Sequence, residues 1–239
     1  MNTIQVSVGS TKMVAHRGCS CLEKENTMAA FIAAGNRTYY GIETDIHKTA
    51  DGQFVVIHDR NTARVGLDSV DVEESTMETL RRITVKDIDG TRTREDLHLP
   101  TLEEYIKNCR RYEKVGVLEI KSTFSVEDMD RVMDIIGDYK DSIIIISFHY
   151  ESLTNLRVHH PAQAAQFLCE QADEALLDRL QADGFGLDIG RHGMTEEVFA
   201  GCKRRGIVTN VWTVDTKEEC ERLAAMGVDY LTSNCCEAR

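Results

Sequence analysis

Along the chain, short and nearly continuous apolar runs rich in β-branched residues alternate with segments whose apolar positions recur at helical spacing. The runs are Lys12–His16, Gly41–Asp45, Val115–Glu119, Ser142–Ser147, Ala164–Leu168, Gly184–Asp188, Ile207–Trp212 and Asp229–Thr232. Continuous rather than alternating apolar character is what parallel strands need when helices cover them from outside. Between the runs, Met28, Phe31 and Ile32 give the first helix an inner face, and Val126, Met129, Val132, Met133 and Ile136 form a stripe on another. Ser125 with Asp128, Thr101 with Glu104 and Thr216 with Glu219 read as capping boxes. Eight strands interleaved with helices predict an α/β fold, a (β/α)8 TIM barrel. An open doubly wound sheet is the competing architecture, but no G-x-G-x-x-G follows the first strand.

Two stretches depart from the pattern. Residues 59–100 are long for one connection, polar and charged, with a weak helix around Thr76–Ile83. They are read as an insertion above the second strand of a single catalytic domain spanning 1–239. After the last strand about seven residues remain to Arg239, too few for an eighth helix of normal length. This shortened C-terminus predicts a barrel wall left open there or covered by a partner subunit, as in a homo-oligomer.

Composition narrows the function classes. The 239 residues carry 28 Lys+Arg against 40 Asp+Glu, a net charge of -12, and only 2 prolines against 16 glycines. Such an acidic chain lacks the clustered cations that bind nucleic acid without sequence preference, and it disfavours docking on anionic lipid. A small phosphate-containing substrate stays possible if a metal or a few Arg and Lys assist locally. Met1 to Val8 lacks a basic segment followed by an apolar run, so no export signal is expected. The longest aliphatic run, Ile143 to Ile146, is far too short to cross a bilayer. The 8 cysteines lack paired C-x-x-C spacing and are read as reduced thiols of a cytoplasmic protein. Cys109, Cys169, Cys202 and Cys220 lie in periodic segments and are expected to be buried.

The chemistry collects at the C-terminal ends of the strands, where barrels of this type place their catalytic groups. The first run ends in His16-Arg17-Gly18, the second in Glu43-Thr44-Asp45, the third in Glu119-Ile120-Lys121 and the seventh in Asn210-Val211-Trp212. Residues two apart on a strand share a face, so Glu43 pairs with Asp45, Glu119 with Lys121, and Asn210 with Trp212. Three carboxylates at one barrel mouth repel one another unless a cation intervenes. A hard divalent ion, Mg2+ or Ca2+, suits an all-oxygen set of Glu43, Asp45 and Glu119.

Asp51-Gly52 between two strand-like runs signals a hairpin that returns the chain to the mouth at His58. A two-residue loop would set His58 opposite Asp45; a three-residue turn would set it opposite Thr44. Two imidazoles, His16 and His58, beside a divalent ion and the cations Arg17 and Lys121 suggest general acid–base work on a phosphoryl group. His47, His98, His149, His159, His160 and His192 lie in polar segments and are read as surface residues.

Val14-Ala15-His16-Arg17-Gly18, Glu25-Asn26-Thr27, Glu43-Thr44-Asp45, His58-Asp59, Glu119-Ile120-Lys121 and Val211-Trp212-Thr213, in that order, resemble the glycerophosphodiester phosphodiesterases over Met13 to about Asn234. The resemblance implies a TIM barrel hydrolysing glycerophosphodiesters to glycerol 3-phosphate and an alcohol with a divalent cation. It makes His16 and His58 the acid–base pair and Glu43, Asp45 and Glu119 the metal ligands. It gives the phosphate to Arg17 and Lys121, and packs Trp212 against the glycerol. A substrate hydroxyl serves as internal nucleophile in the family, saving the entropy of recruiting one from outside. The family's insertion, here 59–100, shapes the leaving-group side. Lys24 stands where the family has proline, and Cys19 and Cys21 occupy the following-strand loop.

Competing readings share parts of this set. A phospholipase D-like relative acting on lysophospholipids would need exposed apolar loops, whereas 59–100 is charged. A sugar-phosphate isomerase or aldolase would use Lys121 as a Schiff-base amine. A phosphate-binding protein without turnover is a third reading; the presence of both histidines weighs mildly against it, and turnover of glycerophosphocholine decides.

Overall fold

A computed structural model describes residues 2–239. Eight parallel strands form the barrel: β2 (Lys12–Ala15), β3 (Gly41–Lys48), β5 (Val115–Ile120), β6 (Ile143–Ser147), β7 (Ala165–Cys169), β8 (Gly186–Gly190), β9 (Thr209–Trp212) and β10 (Tyr230–Ser233). Neighbours in sequence are neighbours in space, and β2 pairs with both β3 and β10, so the sheet closes on itself. The chain folds as the (β/α)8 TIM barrel its pattern predicts. Around the sheet lie α1 (Met28–Gly35), α3 (Leu102–Tyr112), α4 (Val126–Ile136), α5 (Tyr150–His159), α6 (Glu174–Asp183), α7 (Glu196–Arg205) and α8 (Lys217–Met226).

The run Ile143–Ile146 shows why continuous apolar strands are required. Ile143 and Ile145 pack outward into the core between sheet and helices, with Phe31 and Tyr105. Ile144 and Ile146 pack inward with Val14, Val117 and Leu168 in a separate cluster that fills the barrel. Each such side chain taken from water contributes about 1.5–3 kcal/mol. The predicted strand start at Gly184 shifts to Gly186 because a helix stop uses that residue: Gly184 (φ 68) is the left-handed C-cap of α6, as Gly206 (φ 67) is of α7. Thr101 and Glu104 form a full capping box, whereas Ser125 and Thr216 make only its forward half, each accepting from the N–H of the third helical residue.

In place of an eighth helix, β1 (Ile4–Val6) and β11 (Cys236–Ala238) pair in parallel. This ribbon packs on β2 and α8, with Val6 and Cys236 wholly buried, and Glu237 accepts from the Thr38 backbone N–H beyond α1 (3.2 Å). The predicted open wall is therefore corrected: the two ends of the chain cover it jointly.

The hairpin takes the three-residue alternative. In it β3 pairs antiparallel with β4 (Phe54–Val56), Ile46 facing Val56 and His47 facing Val55. Gly52, at φ 75, supplies the left-handed residue of the turn. The segment 59–100 is more than a charged loop. Val65, Val72, Met77, Leu80, Val85, Leu97 and Leu99 form a small core of their own against Val55 and Ile57. Within it α2 (Met77–Arg81) starts on Thr76, whose side chain accepts from the Thr79 N–H.

Candidate active site

Glu43, Asp45 and Glu119 converge at the C-terminal mouth of the barrel. Asp45 pairs in register with Glu119, and one carboxylate oxygen of each of the three lies within 4.8 Å of the others. All three are buried. Asn26 Nδ2 donates to Asp45 Oδ2 (2.7 Å), and Arg17 Nε approaches the same oxygen at 3.5 Å. Lys121 Nζ lies 2.7 Å from Glu119 and 3.5 Å from Asp45, yet Asp45 Oδ1 is buried with no hydrogen bond.

The electrostatics follow from this crowding. Burial would raise Asp45, but Arg17 and Lys121 hold it charged, below its ordinary range. Burial and the charge on Asp45 raise Glu43 well above the usual value and push Glu119 up to about 8. Two cations thus leave a three-carboxylate site short of positive charge, and a divalent ion would supply it. The unpartnered Asp45 oxygen and the all-oxygen donor set fit such an ion.

The turn after β2 is built for this cluster. Arg17 takes a left-handed φ of 55, which aims its backbone N–H at Glu43 Oε2 (2.7 Å). At Gly18 (φ 78) an added Cβ would lie 2.7 Å from the Ala30 Cβ, so this position requires glycine.

Both predicted histidines line one pocket with Arg17, Glu43, Glu119, Asp188 and Trp212. His16 Nδ1 is 2.7 Å from Asn234 Oδ1, an acceptor, so the ring proton sits on Nδ1 and Nε2 faces Glu43 at 4.0 Å. Asn234 is itself held by Asp215, through Nδ2 (2.7 Å) and the backbone N–H (2.8 Å). Burial, aided by Arg17, lowers His16 to about 4. His58 Nδ1 lies 2.7 Å from Asp59 Oδ1. Arg64 bonds both Asp59 (2.6 Å) and Glu25 (2.8 Å), and Glu25 bonds Arg17 (2.9 Å). This chain of alternating charges ties the insertion to the carboxylate side of the mouth.

Trp212 lines the same pocket and meets Phe148 edge to face, centroids 5.6 Å apart. The Lys121 ammonium is held above the ordinary lysine range, because Asp45 and Glu119 outweigh its burial. That protonated, doubly paired amine is unsuited to Schiff-base chemistry.

His47 corrects the sequence reading. It is 1% exposed rather than on the surface, with Nδ1 2.9 Å from Glu73 and Nε2 donating to the His58 carbonyl (3.1 Å). His149 is half-buried and bonds the Lys121 carbonyl through Nε2 (3.1 Å). Cys169 is half-buried, whereas Cys109, Cys202 and Cys220 are buried as expected. Sequence reasoning also passed over Asn234, Asp215 and Asp188. Asn234 follows the last barrel strand as His16 follows the first, so the strand-end rule could have found it; Asp215 left no comparable signal.

Comparison with known proteins agrees with this geometry. Residues 16–237 match the glycerophosphoryl diester phosphodiesterase family. A protein of Caldanaerobacter subterraneus named glycerophosphodiester phosphodiesterase is 30% identical over 229 residues, covering 94% of each chain. A crystal structure of a glycerophosphodiester phosphodiesterase from Parabacteroides distasonis superposes with TM-score 0.77 at 25% identity, covering 94% of this chain and 93% of that one. An Oleispira antarctica phosphodiesterase, determined in complex with its product sn-glycerol-3-phosphate, superposes with TM-score 0.85 at 21% identity, covering 93% and 92%. The chain belongs to the glycerophosphoryl diester phosphodiesterase family, a class of phosphoric diester hydrolases. Among the described residues no helix is long and apolar enough to cross a membrane.

Proposed function

We propose that the protein hydrolyses soluble glycerophosphodiesters to glycerol 3-phosphate and an alcohol, using one divalent cation and the pair His16 and His58. The observation that carries this reading is a cluster of three carboxylates, two of which line one pocket with two oriented imidazoles. The product named for the Oleispira relative points to the same glycerol phosphate end.

Glu43, Asp45 and Glu119 would hold the ion, Mg2+ or Ca2+. Bound there, it supplies charge neutralisation at the phosphoryl oxygens. Arg17 and Lys121 flank the same cluster and would share the phosphate. His16 serves as base. Its ring partner is a neutral carbonyl, and its Nε2 is free to take the proton of the substrate hydroxyl next to the ester. That oxygen attacks phosphorus, and the bond from phosphorus to the leaving alcohol breaks. His58 serves as acid: burial lowers it below the ordinary imidazole range, but Asp45 and the Asp59 carboxylate beside Nδ1 oppose that and support the imidazolium that gives its proton to the leaving oxygen. Water then opens the cyclic phosphate with the two roles exchanged. Trp212 would pack against the glycerol carbons.

The test is a panel of glycerophosphodiesters with different head groups, assayed for glycerol 3-phosphate with and without EDTA. Release across the panel that EDTA abolishes is expected; no release from any member would overturn the reading.

A further inference from the structure

The catalytic scheme leaves one buried carboxyl of the mouth, Asp188, without a role. Four strands round the barrel from β3, Asp188 on β8 stands in register between Leu168 and Asn210. It is 1% exposed and lines the pocket shared with His16, Glu119 and Trp212. Asn210 Nδ2 donates to its Oδ2 (3.1 Å), and Thr232 Oγ1 fixes Asn210 by donating to Oδ1 (3.1 Å). The other oxygen, Asp188 Oδ1, is buried with no hydrogen bond, and so is Trp212 Nε1 on the same wall. Asp188 lies outside the carboxylate cluster that could hold a metal.

Leaving a buried oxygen unsatisfied is destabilising, and an apolar side chain would serve a purely packing role better. Ile146 and Leu168 line the pocket beside it and offer Oδ1 no donor, which leaves that oxygen for a polar group of a ligand. Burial, with the charge of Glu119 adding to it, raises this carboxyl well above its ordinary range.

We propose that Asp188 is the specificity-determining residue for the glycerol end of the substrate, bonding through Oδ1 the terminal hydroxyl that takes no part in the chemistry. The inference rests on the phosphodiesterase reading above. With phosphorus at the carboxylate cluster, the hydroxyl next to the ester stays near His16. The terminal hydroxyl, one carbon further out, reaches the far wall beside Trp212.

The test compares glycerophosphocholine with its 2-hydroxypropyl analogue, which keeps the nucleophilic hydroxyl and lacks the terminal one. The wild-type protein is expected to prefer the glycerol ester at least about 10²-fold in kcat/KM, as sites that bond a substrate hydroxyl reject analogues lacking it. Asp188→Leu should bring that ratio to within about threefold, a change that general damage to the fold does not produce. Asp188→Asn, of equal size, should lower it by about tenfold and serves if the leucine variant does not fold. A ratio unchanged in a folded variant, or near unity in the wild type, overturns the role of Asp188 alone. Failure of the wild type to cleave either ester overturns the phosphodiesterase reading and this inference with it.

Discussion

His16 Nδ1 and Asn234 Oδ1 lie 2.7 Å apart, joining the residue that leaves the first barrel strand to the residue that leaves the last. Because an amide oxygen can only accept, this contact selects the tautomer whose Nε2 faces the pocket. Asp215 locks the amide in that orientation. Asn234→Ala should therefore lower kcat by about 10-fold to 10²-fold with a smaller change in KM, since proton transfer and not binding is disturbed. Equal losses in both parameters would contradict a positioning role.

The two imidazoles should respond differently to the leaving group. His16→Ala and His58→Ala should each lose at least about 10²-fold on glycerophosphocholine. A p-nitrophenyl ester needs no proton on its leaving oxygen, so it should restore most of the rate of His58→Ala and little of His16→Ala. Rescue of the His16 variant instead would reverse the assigned roles.

Metal binding should release protons. Burial and the charge of Asp45 raise Glu43 and push Glu119 up to about 8, so at pH 7 a cation must displace the proton on Glu119. Affinity for Mg2+ or Ca2+ should rise with pH through neutrality and level off above about pH 8. Calorimetry at pH 7 in buffers of different ionisation enthalpy checks this: heats independent of the buffer would contradict it. Glu43→Ala should weaken the metal titration before it harms folding.

Acid should weaken the fold through His16. Its folded value of about 4 lies below the ordinary 6.5, so as pH falls the unfolded chain takes up the proton first. Stability is then unaffected above pH 6.5, declines between 6.5 and 4, and loses no more from this group below that. The loss is on the order of 3 kcal/mol at about 1.4 kcal/mol per unit. Denaturant unfolding in EDTA should show a flatter pH dependence over that interval for His16→Gln than for the wild type. Parallel curves would contradict the assignment.

The barrel was legible because each strand must be apolar on both faces, and runs such as Ile143–Ile146 admit few other readings. The carboxylates and His16 were legible for a related reason: strand ends at a barrel mouth are few, and period-two spacing fixes which residues share a face. What escaped depends on contacts distant in sequence. The ribbon pairs Ile4 with Cys236, which no local pattern announces. His47 looks polar and exposed until Glu73, from the insertion, folds over it. The insertion's own core is assembled from apolar residues too scattered to show a period.

The most direct test is to strip the protein with EDTA, titrate Mg2+ or Ca2+ back, and follow glycerol 3-phosphate released from glycerophosphocholine. The account predicts that release stops on stripping, returns with one bound ion per chain, and does not return in Glu43→Ala at the same ion concentration. Undiminished release from the stripped protein would contradict it.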